Sequence, residues 1–175
     1  QDGQYKINLT SGFISISTIS YTRWEELISR FENPLRAFEK IYLPPFYERI
    51  GFRCIDAFSR EKLGLKNKKW NELIEQPWIG ALSSIEETKM LGLGLDVEYL
   101  LDNNISRAKI HTGIGNINNN LESVFIIDSD FIHIQNIEVG STFEVLSYLH
   151  NNAECFIRNA ITDTLHNAMD PEGVS

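Results

Sequence analysis

Two arginines and two aspartates carry the chemistry that this sequence offers. In Arg49-Ile50-Gly51-Phe52-Arg53-Cys54-Ile55-Asp56, successive side chains of an extended strand point to opposite faces. Arg49, Gly51 and Arg53 therefore share one face, and Ile50, Phe52 and Cys54 the other. Each guanidinium is permanently charged, and a glycine weakens a strand unless something approaches closely. The arginine face is either wet or met by an anion or a carboxylate. Asp128 and Asp130 occupy i and i+2 of a second strand pattern and so project together. At that spacing two carboxylates can hold one divalent cation, or they can meet Arg49 and Arg53 across neighbouring strands. The second account is preferred, because a metal ion needs more than two ligands and no nearby His or Glu completes a set. Arg49, Arg53, Asp128 and Asp130 are thus the candidate ligand-binding residues, with no metal and no cofactor expected. Asp128 and Asp130 read as the only paired carboxylates at strand spacing.

The remaining reactive residues form no constellation. His111 and His133 fall in strand patterns, while His150 and His166 lie sixteen residues apart on one helical pattern, so no pair has the i, i+4 spacing of a zinc-binding helix. There is no Gly-x-Ser-x-Gly elbow, and Gly113-Ile114-Gly115 lacks the third glycine of a phosphate-binding loop. Two cysteines, Cys54 and Cys155, make neither a disulfide framework nor a zinc site, and read as buried thiols of a cytoplasmic protein. Catalytic residues are not identifiable.

Composition sets the class of molecule and of partner. With 175 residues, 42% of them hydrophobic, the chain can bury one sizeable core, and a single α+β domain over residues 1–175 is expected. The net charge of −8 repels phosphate backbones, so duplex nucleic acid is not an expected partner, and Lys66, Lys68 and Lys69 within the Arg60–Lys69 stretch read as a solvated loop. No apolar run is long enough to span a bilayer and no signal segment opens the chain, so no membrane partner is expected either.

The elements that must position these residues follow from periodicity. Residues 5–9 and 13–17 alternate around Ser11-Gly12 as a hairpin. Thr22 with Glu25 forms a capping box opening a helix with Trp24, Leu27, Ile28 and Phe31 on one stripe; Pro34 restarts a second helical segment, which Pro44-Pro45 ends. Trp70, Leu73 and Ile74 keep helical spacing until Pro77-Trp78-Ile79-Gly80 breaks it. Residues 90–101 fit strand or helix, with Gly92 and Gly94 favouring the strand. Strands are expected at 106–115 and 124–135, separated by a turn-rich loop at Asn116–Asn120. Ser141 with Glu144 makes a second capping box, opening one helix to about Met169 that would be roughly 40 Å long and lie across the sheet. Antiparallel strands with segregated helices give an α+β fold, a mainly antiparallel sheet covered by helices, arranged as a duplicated strand-and-helix unit with a long C-terminal helix.

Four landmarks, residues 21–26, Tyr47-Glu48-Arg49-Ile50-Gly51-Phe52-Arg53, Ile127-Asp128-Ser129-Asp130-Phe131, and Phe156 through Ala160-Ile161-Thr162-Asp163 to Leu165, resemble those of a sporadically distributed, uncharacterised prokaryotic protein family. Its members show an Arg-Ile-Gly-Leu-Arg-Tyr-Ile-Asn strand and a final helix containing Ile-Thr-Asp. This chain departs from the pattern at Cys54 and Asp56, which leaves those two positions without an implied role. The resemblance implies that the chain is the C-terminal two-thirds of a longer protein, as its start at Gln1 also suggests. It implies no activity, and its patchy occurrence points to mobile or defence-associated genes.

The functional expectation is a cytoplasmic binding or interaction module whose partner is a protein or a small anionic ligand, with homo-oligomerisation open. The alternative is an enzyme or nucleotide- or anion-binding domain using the Arg/Asp face.

Overall fold

The computed structural model describes residues 4–117 and 122–169. The fold is α+β, with antiparallel strands. The chain falls into two compact units, Gln1–Glu48 with Asn136–Thr142, and Arg49–Gln135 with Phe143–Ser175.

The first unit opens with β1 (Tyr5–Leu9) and β2 (Ile14–Thr18), the expected hairpin, paired from Tyr5 opposite Thr18 to Leu9 opposite Ile14. Helix α1 (Trp24–Tyr42) follows, with Leu27, Phe31 and Leu35 as its buried stripe. Two expectations fail here. Pro34 lies inside the one continuous helix, with Leu27 and Phe31 buried before it and Leu35 buried directly after it; burial of that stripe offsets the lost hydrogen bond. The Thr22–Glu25 capping box does not form: the helix starts one residue later, with extended Arg23 as its cap position, and the Thr22 hydroxyl donates instead to Glu26 at 2.8 Å. The helix ends as expected ahead of Pro44, where Leu43 turns left-handed and its N–H bonds Glu39 O.

In the second unit, β3 (Ile50–Ser59), β4 (Gly94–Leu100), β5 (Ser106–Ile117) and β6 (Glu122–His133) form one antiparallel sheet in the order β3-β6-β5-β4. Asn116 and Ile117 extend β5, so the expected loop does not begin at Asn116, and the rest of it lies outside the described residues. Between β3 and β4 the chain makes turns and the one-turn helix α2 (Gln76–Ile79), which Gly80 ends with a φ of 57°. Pro77 therefore sits in the first turn of a helix rather than breaking one, a position where its missing N–H costs nothing. The sheet's inner face packs on α3 (Thr142–Ala160): the Phe52 ring meets His150 edge-on at 5.3 Å, and Phe131 meets Phe156 at 6.0 Å. Trp70, Phe125, Ile127, Phe131, Leu149 and Leu165 are among the side chains sealed in this core.

The C-terminal helix is shorter than its periodicity predicts. It stops at Ala160, and α4 (Asp163–Ala168) begins after a two-residue break. Residues 73–75 cause the break. Glu75 N–H donates to Ala160 O and Thr162 N–H to Leu73 O, both at 2.9 Å, around an antiparallel bridge between Ile74 and Ile161. The same pairing stops Trp70, Leu73 and Ile74 from continuing as an α-helix: a single 3-10 turn, Trp70–Glu72, is followed at once by Leu73 and Ile74, and the Trp70, Leu73 and Ile74 side chains are all buried. Ser141, the other expected cap, lies in a 3-10 turn (Val139–Ser141) that runs directly into α3.

Candidate functional site

Alternation along β3 separates two surfaces as the sequence requires. Ile50, Phe52 and Phe58 are buried, whereas Gly51, Arg53 and Ile55 are exposed. The four sequence-predicted residues meet on the exposed side. Arg53 grips Asp128 with two bonds, Nε to Oδ1 at 2.8 Å and Nη2 to Oδ2 at 2.5 Å, and Arg49 Nη2 reaches Asp130 Oδ2 at 3.0 Å. The arginine side chains are 54% and 58% exposed for Arg49 and Arg53, so these are half-wet ion pairs. The Arg53 hydrogen bonds hold the Asp128 carboxyl below the usual carboxylate range, against a smaller opposing effect of burial. Gly51 has its explanation in the same place: a Cβ there would lie 3.2 Å from Arg49 Nη2 and 3.3 Å from Ile132, so the glycine clears room for the guanidinium to fold over the sheet.

The charged face is wider than those four residues. Asp96 and Glu98 on β4 form a second pair of carboxylates at i and i+2, so Asp128 and Asp130 are not the only ones. On β5, His111 stands opposite Asp96 and Lys109 opposite Glu98, and Arg107, opposite Leu100, shares their face. Arg107 Nη1 donates to Glu98 at 3.0 Å, Lys109 lies 3.9 Å from the same carboxylate, and His111 Nδ1 is 2.8 Å from Asp96 Oδ1. Arg53, Asp96, Glu98, Lys109, His111, Asp128 and Asp130 line one depression of about 430 Å³ on this face. The signal for the missed residues was present, since Asp96/Glu98 and Lys109/His111 alternate with apolar neighbours in both strand patterns. Read one motif at a time, they do not announce themselves; read across paired strands, they do.

Small residues hold part of the face flat. A Cβ at Gly113 would come within 2.6 Å of the Leu93 carbonyl oxygen, and one at Gly94 would lie 3.5 Å from the His111 ring. Gly113 is thus fixed by the close approach of the chain entering β4, not by phosphate chemistry.

Other candidate chemistry resolves into structure. Ser106 Oγ lies 2.8 Å from His133 Nδ1, but Ser106 is fully buried, where no substrate reaches a hydroxyl nucleophile. Cys54 faces inward and its thiol is pushed up to about 12 by burial, with Asp56 adding to the effect. Cys155 is exposed on α3, which corrects the expectation of two buried thiols. Lys66 pairs with Glu61 and Lys68 with Glu72, while Arg60 stacks over Trp70 at 4.4 Å and bonds Glu87. Among the described residues, no group of three or more His, Cys, Asp or Glu could hold a metal ion, and no helix is long and apolar enough to cross a membrane.

No protein-family model, curated protein or solved structure matches the chain.

Proposed function

We propose that this chain is a cytoplasmic interaction module that docks a polar partner on the outer face of its four-stranded sheet. One observation carries the reading. The face presents arginines that stay 38–58% exposed while paired to its carboxylates, around a shallow depression lined by charged side chains together with Val97 and Ile110. Ion pairs so exposed add little to stability, yet they can exchange partners with incoming charges, and complementary charge sets specificity and encounter rate. The resemblance to a sporadic prokaryotic family is compatible with such a module, whose partner is a protein.

A second reading, small-anion binding or catalysis, rests on the Asp96–His111 pair. A carboxylate fixes one nitrogen of an imidazole and leaves the other to act as base or donor, and Arg53 lines the same depression. Against it, Arg53 already spends two donors on Asp128.

Backbone amide NMR titrations separate the two. The uniformly labelled chain is titrated at micromolar concentration with a peptide of alternating Lys and Glu, with ATP, and with inorganic phosphate. The interaction reading expects the peptide to shift amides of β4, β5 and β6 around Glu98, Lys109 and Asp130. Shifts centred on Arg53 and His111 with ATP or phosphate, and none with the peptide, favour the second reading. No shift on this face with any probe overturns both.

A further inference from the structure

We infer that the partner this face fits is a second copy of the chain. The inference rests on the docking reading above and specifies its occupant. Across the sheet, register places Arg53 on β3 beside Asp130 on β6, Asp130 beside Lys109 on β5, and Lys109 beside Glu98 on β4. Read from one edge to the other, the row is plus, minus, plus, minus. Such a row is antisymmetric about the sheet's centre line. A two-fold axis parallel to the strands, running between two stacked faces over the gap between β6 and β5, exchanges β3 with β4 and β6 with β5. It sets Arg53 over the partner's Glu98 and Asp130 over the partner's Lys109, with both contacts repeated by symmetry. The adjacent row, Ile55, Asp128, His111 and Asp96, then places Asp128 over the partner's His111 and Ile55 over the partner's Asp96. An isologous contact requires one patch to be complementary to itself, and the row through Arg53 is.

Two further observations favour a copy over another partner. Although the chain carries −8 overall, the face holds four cations (Arg49, Arg53, Arg107, Lys109) against four carboxylates (Asp96, Glu98, Asp128, Asp130). It is a neutral area on an acidic molecule, where two copies can meet without net repulsion. Four strands about 4.8 Å apart and roughly 30 Å long give a face of about 600 Å² per copy, at the lower end of specific interfaces. The expected dimer is therefore weak and concentration-dependent. At about 0.15 M salt the repulsion between the acidic bodies is screened beyond ~8 Å while close ion pairs persist, so that is the condition for the test.

Sedimentation equilibrium of the whole chain up to millimolar concentration tests this with Arg53→Glu, Glu98→Lys and their equimolar mixture. Wild type should show monomer and dimer in exchange. Each single variant places like charges opposite one another twice and should raise the dissociation constant about tenfold or more. The mixture should dimerise again, as one chain of each kind, because both cross-copy contacts regain opposite signs. Circular dichroism checks folding; if Arg53→Glu does not fold, Lys109→Glu with Asp130→Lys applies the same logic to the inner contacts. A wild-type chain monomeric at every concentration, a dimer indifferent to Glu98→Lys, or a mixture of folded variants that stays monomeric while wild type dimerises would each overturn the inference. Where the peptide titration still moves this face, only the identity of the occupant falls.

Discussion

At the scale of single residues, strand parity decides chemistry. Arg53 and Cys54 are neighbours, yet one is a half-wet cation and the other a thiol pushed up to about 12 by burial. Thiolate is the reactive form, so at mildly alkaline pH native Cys54 should resist iodoacetamide while exposed Cys155 is alkylated; intact-mass spectrometry should show one label on the native chain and two after denaturation. Two labels at equal rates would place Cys54 outside the core. Asp56 shares the inward parity, and burial raises its carboxyl above the ordinary range. A raised acid is penalised in its charged form, so its cost is present at neutral pH and shrinks as pH falls through its folded value toward the unfolded one. Asp56→Asn should therefore stabilise the chain at pH 7, with the gain fading as pH falls toward about 4, the ordinary carboxylate value, and gone below it. A denaturation midpoint lowered at pH 7 would mean that Asp56 has a stabilising role as an anion. Parity was legible in the sequence. The desolvation of Asp56 was not, because it depends on what covers the strand.

Elements were legible where their signal is local. The hairpin, the first half of α1 and strands β3, β5 and β6 follow from periods of two and 3.6, whereas β4 fits either period and is favoured only by Gly92 and Gly94. The errors arise where distant backbone competes. Nothing in the apolar stripe of residues 142–169 signals that Ile161 and Thr162 will leave the helix and that residues 160–162 will pair with residues 73–75; the stripe continues straight through the break. Thr162 then serves both sides of it: its hydroxyl bonds Glu72 O at 2.9 Å, and it accepts from Leu165 N–H as the cap of α4. Thr162→Ala should cost about 1–2 kcal/mol in urea unfolding, the upper range for a helix cap. Thr22→Ala, which removes only an exposed hydroxyl bond to Glu26, should change stability by less than about 0.5 kcal/mol. Equal losses at the two sites would contradict this assignment of caps.

For the whole molecule, net charge and the sheet face give different messages. A charge of −8 predicts no measurable duplex DNA binding at physiological salt, and Lys66 and Lys68 are paired with Glu61 and Glu72; sub-micromolar binding in a fluorescence anisotropy assay, weakening steeply with salt, would refute it. The face itself was half legible. Arg49, Arg53, Asp128 and Asp130 could be gathered from spacing alone, whereas Asp96, Glu98, Lys109 and His111 join them only once β4 and β5 are paired in register. The docking face is built around the bond of Arg53 to Asp128 across β3 and β6. A depressed carboxyl stabilises the fold above its ordinary value and loses that contribution as pH falls through its folded value. Carboxyl-detected NMR titration of Asp128, in wild type and in Arg53→Met, measures this directly. The wild-type midpoint should lie below about 3.9 and return to it in the variant, with a stability loss of about 1 kcal/mol or less at pH 7, as befits a half-exposed pair. An Asp128 midpoint at the ordinary value in wild type, unmoved by Arg53→Met, would contradict the paired face.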